Sequence, residues 1–379
     1  MKSALKLSLL WLLLCAAPLL SMAAQPIPAA PELGAKGFLL VDFNSGTALT
    51  EKNADEPLEP ASLTKIMTAY VVFRELTAGH IALSDIVTVS EKAWRTGGSR
   101  MFIEVGSQVS VEDLLKGMII QSGNDASVAL AEYVAGSLDS FANMMNANAK
   151  RLGMSSTHFT NPNGLPDPEL YTTARDMARL TVALIREFPE YYKWYGQTEF
   201  TYNDITQANR NPLLKRDATA DGVKTGHTKA AGYCLVGSAK RDDMRLISVV
   251  MGAASPSARA EASLALLNWG FRFYESHQLF AADQPIESLR VWYGEQENLP
   301  VGPSIDVVAT IPRGTYDKLS ARLEKTSDLT APIAKGARLG DVIVTMGDEE
   351  VTRAPLVALQ DVPEGGLWRK AKDSLLQIF

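Results

Sequence analysis

Apolar residues recur along the chain in the two periods that distinguish strands from helices. Residues 37–43 form an apolar run, Asn44-Ser45-Gly46 is a turn signal, and residues 47–50 return as a partner, so the pattern predicts a β-hairpin. Residues 233–239 and 244–251 predict a second strand pair. Helical spacing is found in residues 111–120, 126–135, 138–151 and 258–274, and in a helix that opens at Thr172 or Thr173. The mixture predicts an α/β fold.

The pattern changes near residue 285. Short apolar stretches at residues 289–293, 305–311 and 342–346 alternate with glycines and prolines. This texture predicts a small β-rich domain over residues 285–361, after a main domain over residues 25–284.

The last segment, residues 362–379, has the pattern of an amphipathic helix. Basic residues occupy one face, and the apolar residues at helical spacing are Leu367, Trp368, Ala371, Leu375, Ile378 and Phe379. A cationic helix of this kind lies in a membrane interface, and we expect residues 362–379 to be a membrane anchor. Packing of the helix on its own β domain is the alternative.

The N-terminus is typical of a targeting segment. Lys2 and Lys6 precede an apolar run over residues 9–20, and the small residues Ala23 and Ala24 follow. Residues 1–24 are therefore predicted to be a cleavable secretory signal, with an uncleaved anchor as the alternative. The apolar run is short for a membrane span.

Composition agrees with an exported globular protein of about two domains. The 379 residues are 46% hydrophobic and 21% charged, the net charge is −6, and no long basic run points to nucleic acid. Cys234 is the one cysteine that follows the predicted signal, so internal disulfides are not expected. The four histidines show no metal-ligand spacing, and no glycine-rich phosphate loop is present. We expect neither a metal nor a cofactor.

The most informative chemical feature is the spacing of Ser62 and Lys65. Residues three apart share a helix face, so the lysine amine can reach the serine hydroxyl. A serine is a weak nucleophile that needs a base, and a lysine among apolar neighbours and a second cation can be neutral enough to serve. The alternative is a helix-capping Ser62 beside a solvated Lys65.

Two later segments complete a known signature. Ser122-Gly123-Asn124 follows an apolar run, and Lys224-Thr225-Gly226-His227 lies about a hundred residues further on. S-x-x-K, S-D-N and K-T-G in this order mark class A β-lactamases and penicillin-binding proteins, and here glycine replaces the central aspartate. No G-x-S-x-G sequence is present, which argues against an α/β-hydrolase.

These motifs and their surroundings resemble the low-molecular-mass penicillin-binding proteins that are serine D-Ala-D-Ala carboxypeptidases. Ser122-Gly123-Asn124 is the carboxypeptidase form, and the likeness runs from about residue 31 to the C-terminus. It implies a β-lactamase/transpeptidase-like domain with an antiparallel sheet flanked by helices, a β-rich second domain and a terminal anchor. It also implies a periplasmic enzyme at the bacterial inner membrane that acts in cell-wall peptidoglycan metabolism.

The resemblance implies a role for each motif residue. Ser62 attacks the penultimate carbonyl of a pentapeptide ending in D-Ala-D-Ala, and Lys65 takes the hydroxyl proton. Ser122 relays a proton to the leaving amine, and Asn124 holds Lys65 and the substrate amide. Lys224 lowers the pKa of the Lys65 amine by repulsion. β-Lactam antibiotics mimic the substrate and acylate the same serine.

Further contacts are implied on the substrate side. Lys224 and Thr225 face the terminal carboxylate, Gly226 permits close approach, and the backbone N–H groups of Ser62 and His227 hold the oxyanion. Each position has a structural alternative, namely a helix cap at Ser122, a turn at Asn124, a solvated strand end at Lys224 and a role for the His227 backbone alone.

Two arginines match family positions beside the substrate. These are Arg210, in Asn209-Arg210-Asn211, and Arg259. Residues 252–257 depart from the family pattern, so a surface position for Arg259 stays open. The loop of residues 161–168 either borders the site or only connects helices.

Three functions remain possible from the sequence. The first is a serine D,D-carboxypeptidase, and the second is a D,D-endopeptidase or a β-lactamase of the same fold. No clearly placed carboxylate for rapid deacylation is visible, although Asp167 and Glu169 lie in a loop. The third is a non-catalytic wall-binding protein that keeps the fold.

Overall fold

A computed structural model of the chain describes residues 27–326 and 328–376. The predicted secretory signal and the final residues of the predicted C-terminal helix, Gln377, Ile378 and Phe379, lie outside the described residues. Within the described residues, no helix has the length and apolar character needed to cross a membrane.

Sixteen strands and ten α-helices are formed by the described residues. The strands are β1 Gly37–Asp42, β2 Ala48–Lys52, β3 Ile86–Thr88, β4 Gln108–Ser110, β5 Glu199–Tyr202, β6 Ile205–Ala208, β7 Ala220–Thr228, β8 Gly232–Arg241, β9 Met244–Ala253, β10 Tyr274–Phe280, β11 Glu287–Arg290, β12 Asn298–Pro303, β13 Val307–Pro312, β14 Leu319–Lys325, β15 Arg338–Met346 and β16 Glu349–Ala358. The helices are α1 Thr64–Thr77, α2 Glu91–Arg95, α3 Val111–Lys116, α4 Asn124–Ala135, α5 Leu138–Arg151, α6 Ala174–Glu187, α7 Pro189–Tyr192, α8 Leu213–Arg216, α9 Pro256–Phe273 and α10 Leu367–Leu376.

The main domain is built on an antiparallel five-stranded sheet in the order β2-β1-β9-β8-β7. The predicted hairpin is confirmed as β1 and β2, and the second predicted pair as β8 and β9. Every residue of β1 is buried, and the apolar residues 38–41 fit a strand that is covered on both faces. The two edge strands of this sheet are β2 and β7, and β9 and β8 separate β7 from β1.

Helices cover both faces of this sheet. One face packs against α1 and the helices around it, in a core that includes Leu39, Val236 and Tyr70. The other face packs against α9, through Leu40, Leu235 and Leu266 among others. The arrangement confirms the predicted antiparallel sheet flanked by helices.

Side-chain caps mark the start of five of the helices in the described residues, α2, α3, α5, α6 and α9. The Thr173 side chain accepts a hydrogen bond from the Asp176 N–H and caps α6, one of the two predicted positions. The prediction of one helix over residues 111–120 was wrong in its second half. Helix α3 ends at Lys116 and continues as a π-helical turn, Gly117–Gln121. Gly117 allows this close packing, because a Cβ there would lie 2.2 Å from the Met101 Sδ.

The C-terminal part is β-rich, as predicted. Five antiparallel strands in the order β11-β12-β16-β15-β14 enclose their own apolar core, and β10 pairs with β13. The sequence pattern missed β14 because this edge strand is charged and largely exposed. It missed β16 because Pro355 interrupts the strand pattern.

Helix α10 packs on this β-rich part through a buried carboxylate. The Asp373 side chain is fully buried, accepts a 2.7 Å hydrogen bond from the Tyr293 N–H, and pairs with Arg290 and Arg369. The opposite side of the helix exposes Leu367 and Trp368 almost completely, at 88% and 91%.

Candidate active site

Ser62 lies in a tight turn that leads directly into a buried helix. Residues Ala61–Leu63 form a 3₁₀ turn and α1 begins at Thr64, so the α-helix starts two residues after Ser62. Ser62 and Lys65 still share a face, and the Lys65 Nζ lies 2.9 Å from the Ser62 Oγ. The capping alternative does not apply, because α1 follows Leu63 and receives no side-chain cap.

The amine of Lys65 is removed from water and held from three sides. Lys65 is 1% exposed. Its Nζ also donates hydrogen bonds of 2.7 Å to the Asn124 Oδ1 and 2.7 Å to the backbone carbonyl of Asn163. Burial, and then the positive charge of Lys224, lower the pKa of Lys65 well below its ordinary value. A neutral amine so placed can accept the proton of the serine hydroxyl.

Ser122 and Asn124 are set by an unusual backbone. The π-helical turn ends at Ser122, whose φ of 69° places a non-glycine residue in the left-handed region. The residue is 3% exposed. Asn124 then opens α4, and its Nδ2 donates a 2.7 Å hydrogen bond to the Gly97 carbonyl while its Oδ1 accepts from Lys65. Serine and amide are thus fixed on either side of a glycine.

The third motif lies on β7, the edge strand of the sheet. Gly226 faces the turn that carries Ser62, and a Cβ on it would lie 2.9 Å from the Pro60 carbonyl and 3.3 Å from the Leu63 N. Residues two apart on a strand face the same side, so Lys224 shares this face with Gly226. The three motifs therefore meet, although more than 100 residues separate Ser62 from Lys224.

Lys224 is a buried cation in a positive environment. It is 2% exposed. Burial, followed by the charges of Arg210 and Arg259, lowers the pKa of Lys224 far below its ordinary value. The site therefore attracts an anion, which would relieve the repulsion among these cations.

The two predicted arginines reach the site from different parts of the chain, Arg210 from the segment before α8 and Arg259 from α9. Arg210 is exposed, and its Nε donates a 2.9 Å hydrogen bond to the Gln121 carbonyl next to Ser122. Arg259 is half-buried and donates a 3.0 Å hydrogen bond to the carbonyl of Gly226. This contact with the third motif argues against the alternative that Arg259 is a surface residue unrelated to the site.

The remaining side chains of the third motif, those of Thr225 and His227, differ in exposure. Thr225 is 5% exposed. His227 is exposed, and its ring stacks on Tyr233 at 4.0 Å between ring centroids. Register pairs His227 with Tyr233 across β7 and β8. Among the residues of the Lys224–His227 motif, the buried side chains are thus those of Lys224 and Thr225.

Two contributions to the site are made by backbone carbonyls, and the sequence analysis missed both. The first is the carbonyl of Asn163, which binds Lys65. The second is the carbonyl of Gly97, which binds Asn124. Gly164 has a φ of 79° and would place a Cβ 1.8 Å from the Ala61 carbonyl, so the loop of residues 161–168 borders the site. The dense Asn, Pro and Gly content of this loop was the available signal.

Side chains that could hold a metal are not clustered in residues 27–326 and 328–376, where no group of three or more His, Cys, Asp or Glu has a suitable arrangement. Cys234 is 1% exposed, and burial raises the pKa of its thiol.

The fold and the site define a class of serine acyl-transfer enzymes in which a buried lysine stands beside the nucleophile. Comparison with known protein families is more specific. Residues 24–255 match the family model described as D-alanyl-D-alanine carboxypeptidase, and residues 274–364 match the penicillin-binding protein 5 C-terminal domain. The chain belongs to the D-alanyl-D-alanine carboxypeptidase family.

Individual relatives agree over nearly the whole length. The chain is 46% identical to the D-alanyl-D-alanine carboxypeptidase DacC of Escherichia coli K12 over 95% of this chain and 92% of that protein. It is 42% identical to DacA of the same organism, over 93% and 90%. The crystal structure of penicillin binding protein 5 from Haemophilus influenzae superposes with a TM-score of 0.86 at 43% identity, covering 89% of this chain and 100% of that one.

Proposed function

We propose that the protein is a serine D,D-carboxypeptidase that removes the terminal D-Ala from peptidoglycan stem peptides ending in D-Ala-D-Ala. The observation that carries the proposal is the 2.9 Å contact between the Lys65 Nζ and the Ser62 Oγ in a buried, cation-rich site. The carbonyl of the penultimate residue is the electrophile, and the acyl-enzyme forms on Ser62.

The proposed reaction has two balanced halves. In acylation, the Ser62 hydroxyl proton passes to the neutral Lys65 amine as Oγ bonds to the carbonyl carbon. The peptide C–N bond breaks, and Ser122 relays a proton to the departing amine of D-Ala. In deacylation, water attacks the ester carbonyl while Lys65 takes one of its protons, the ester C–O bond breaks, and that proton passes to the Ser62 Oγ, which restores the hydroxyl. Backbone N–H groups of Ser62 and His227 stabilise the oxyanion, each by about 3 kcal/mol.

Recognition of a free carboxylate explains why the last residue is the one removed. Lys224, Thr225 and Arg210 form the proposed carboxylate site. Arg259 contributes from α9, where it donates a hydrogen bond to the Gly226 carbonyl. A carboxylate in this pocket would raise the pKa of Lys224 and stabilise its charged form. β-Lactams carry a carboxylate next to a strained amide, and we propose that they acylate Ser62 by the same route.

Release of D-Ala is the direct test. We expect the full-length protein to liberate free D-Ala from a synthetic pentapeptide and to form a long-lived covalent adduct with penicillin. Measurement of D-Ala, crosslink cleavage and drug hydrolysis on one preparation separates the candidates. Crosslink cleavage without D-Ala release would indicate an endopeptidase, and rapid drug turnover would indicate a β-lactamase.

We further propose the organisation expected from the sequence, with a secretory signal over residues 1–24, a catalytic domain over residues 25–284, a β-rich domain over residues 285–361 and an anchor over residues 362–379. The enzyme would then act on the periplasmic face of the inner membrane. Support for the anchor comes from α10, where Leu367, Trp368 and Leu375 are exposed at 88%, 91% and 61%. Apolar side chains presented this fully fit insertion into an interface.

The anchor can be tested by charge insertion. We expect the double variant Leu367→Glu/Trp368→Glu to bind lipid vesicles at least about 100-fold more weakly, because it removes two apolar side chains from the interface. The measurement is flotation with phosphatidylglycerol-containing vesicles. The matched control is Ile305→Glu/Tyr316→Glu, whose parent residues are exposed at 55% and 48% elsewhere in the β-rich part. Equal flotation of both variants would show that α10 is not the anchor.

A further inference from the structure

Asp125 is a buried carboxylate next to the catalytic motif, and backbone amides bind it. It follows Asn124 in α4 and is 1% exposed. Its Oδ1 accepts a 2.9 Å hydrogen bond from the Met101 N–H, and its Oδ2 accepts one of 3.0 Å from the Phe102 N–H and one of 3.4 Å from the Ile103 N–H. An ionised carboxylate is the acceptor best suited to several converging N–H groups.

These three amides lie at the C-terminal end of residues 97–103. The same segment holds Asn124 by hydrogen bonds, and we call it the Asn124 clamp. The Gly97 carbonyl accepts from the Asn124 Nδ2 at 2.7 Å, and the Ser99 carbonyl accepts from the Asn124 N–H at 2.8 Å. Gly98, with a φ of 88°, approaches so closely that a Cβ would lie 2.6 Å from the Asn124 Nδ2. One end of the segment therefore holds the amide that binds Lys65, and the other end is held by Asp125.

The backbone at the held end is strained. Phe102 has a φ of 69°, in the left-handed region that bulky residues rarely occupy, although its side chain is 50% exposed. Packing of the ring thus does not explain this conformation. The hydrogen bond from its N–H to Asp125 offers a reason for it.

The same carboxylate accounts for the glycine in Ser122-Gly123-Asn124. A Cβ on Gly123 would lie 2.8 Å from the Asp125 Oδ1 and 3.1 Å from the Met101 N. The space for a central side chain is therefore taken by the contact between Asp125 and the segment of residues 97–103. In this chain the carboxylate beside the motif therefore belongs to the residue after Asn124, and it binds the backbone of residues 101–103.

We propose that Asp125 is a positioning residue for the reaction. It fastens residues 97–103, this segment holds Asn124, and Asn124 holds the amine of Lys65. The proposal deepens the proposed function and rests on it. Asp125 touches neither the nucleophile nor the substrate in this scheme, and its effect reaches Lys65 through the clamp and through its charge.

The first test is Asp125→Asn in the full-length protein. An amide keeps the size of the side chain but turns one acceptor oxygen into a donor that faces N–H groups. We expect kcat for D-Ala release to fall about 100-fold, as loss of positioning predicts. We also expect the amides of residues 101–103 to exchange faster with deuterium. The matched control is Asp176→Asn, a 2% exposed aspartate that accepts from the Ser156 N–H at 3.0 Å and the Thr157 Oγ1 at 2.9 Å.

The pH profile separates positioning from simple loss of folded protein. Lys65 faces the cations Lys224 on β7 and Arg210, and the anion Asp125 on α4, which alone among these charges raises its pKa. Without that anion the pKa of Lys65 falls further, so the neutral base persists to lower pH. The acid limb of kcat/KM should move to lower pH in Asp125→Asn and stay in place in Asp176→Asn.

A charge-retaining variant keeps the test decisive if Asp125→Asn fails to fold. Asp125→Glu retains the anion but displaces its oxygens, so we expect lower kcat with the acid limb near its wild-type position. Wild-type kcat and wild-type exchange at residues 101–103 in either variant would overturn the proposal. A wild-type enzyme that releases no D-Ala would instead overturn the proposed function, so the two failures are distinct.

Discussion

Replacement of Ser62 by alanine is expected to lower kcat/KM for D-Ala release by at least about 10⁴-fold, because among the described residues the hydroxyl that contacts the Lys65 amine is that of Ser62. Mass spectrometry should find no penicillin adduct on the variant. Lys65→Ala should lose a similar amount, and the double variant should be no worse than either, since the two residues act as one unit.

Ser137→Ala is the matched control for the loss of a serine hydroxyl. Ser137 caps α5 by accepting from the Ser140 N–H and belongs to none of the three motifs. Its removal should cost about 1 kcal/mol of stability and leave D-Ala release intact. A penicillin adduct on Ser62→Ala would contradict the assigned nucleophile.

Replacement of Lys224 by methionine is expected to stabilise the fold while it abolishes substrate binding. The native state buries the Lys224 ammonium against Arg210 and Arg259, and its Nζ makes a 3.3 Å hydrogen bond to the Thr225 carbonyl. An apolar chain of similar length removes the desolvation and the repulsion, so the free energy of unfolding at pH 7 should rise by about 1–3 kcal/mol. Urea unfolding measures the gain, and the pentapeptide assay measures the loss of activity.

The gain should depend on pH in a definite direction. The unfolded chain keeps the lysine protonated up to its ordinary pKa, whereas the folded chain releases that proton at lower pH. Between these two values the unfolded state binds more protons, so wild-type stability rises with pH. The advantage of Lys224→Met should therefore shrink as the pH approaches 10.

Lys65→Met provides the contrast, because the two lysines differ in their partners. The Lys65 amine satisfies the Asn163 carbonyl and the Asn124 Oδ1, and methionine would leave both buried acceptors unpaired. We expect Lys65→Met to gain less than Lys224→Met or to lose stability. An equal gain in both variants would contradict the account of Lys224.

Several parts of the fold and site follow from local sequence. The hairpin of β1 and β2 and the pair of β8 and β9 come from strand-like stretches on either side of polar turns. The order of the three motifs identifies Ser62, Lys65 and Lys224, because each chemical type and spacing has a mechanistic reason. Structure then places them together, through the close approach of Gly226 to the Ser62 turn.

Other features of the site cannot be predicted from a single sequence. The carbonyls of Gly97 and Asn163 bind catalytic side chains, but every residue has a carbonyl, so only tertiary structure selects them. The π-helical turn before Ser122 resembles a continuous helix in its apolar spacing. Arg259 reaches Gly226 from α9, and a contact between elements depends on packing rather than on spacing.

The buried Asp373 contacts that hold α10 on the β-rich part have a consequence for the proposed membrane binding. The basic side chains of α10 are already paired with acidic residues that precede the helix. Arg369 and Lys372 pair with Glu297, and Lys370 pairs with Glu364. Few positive charges then remain for anionic headgroups, so retention would rest on insertion of the leucine and tryptophan side chains. We therefore expect the fraction of protein that floats with vesicles to change little with ionic strength.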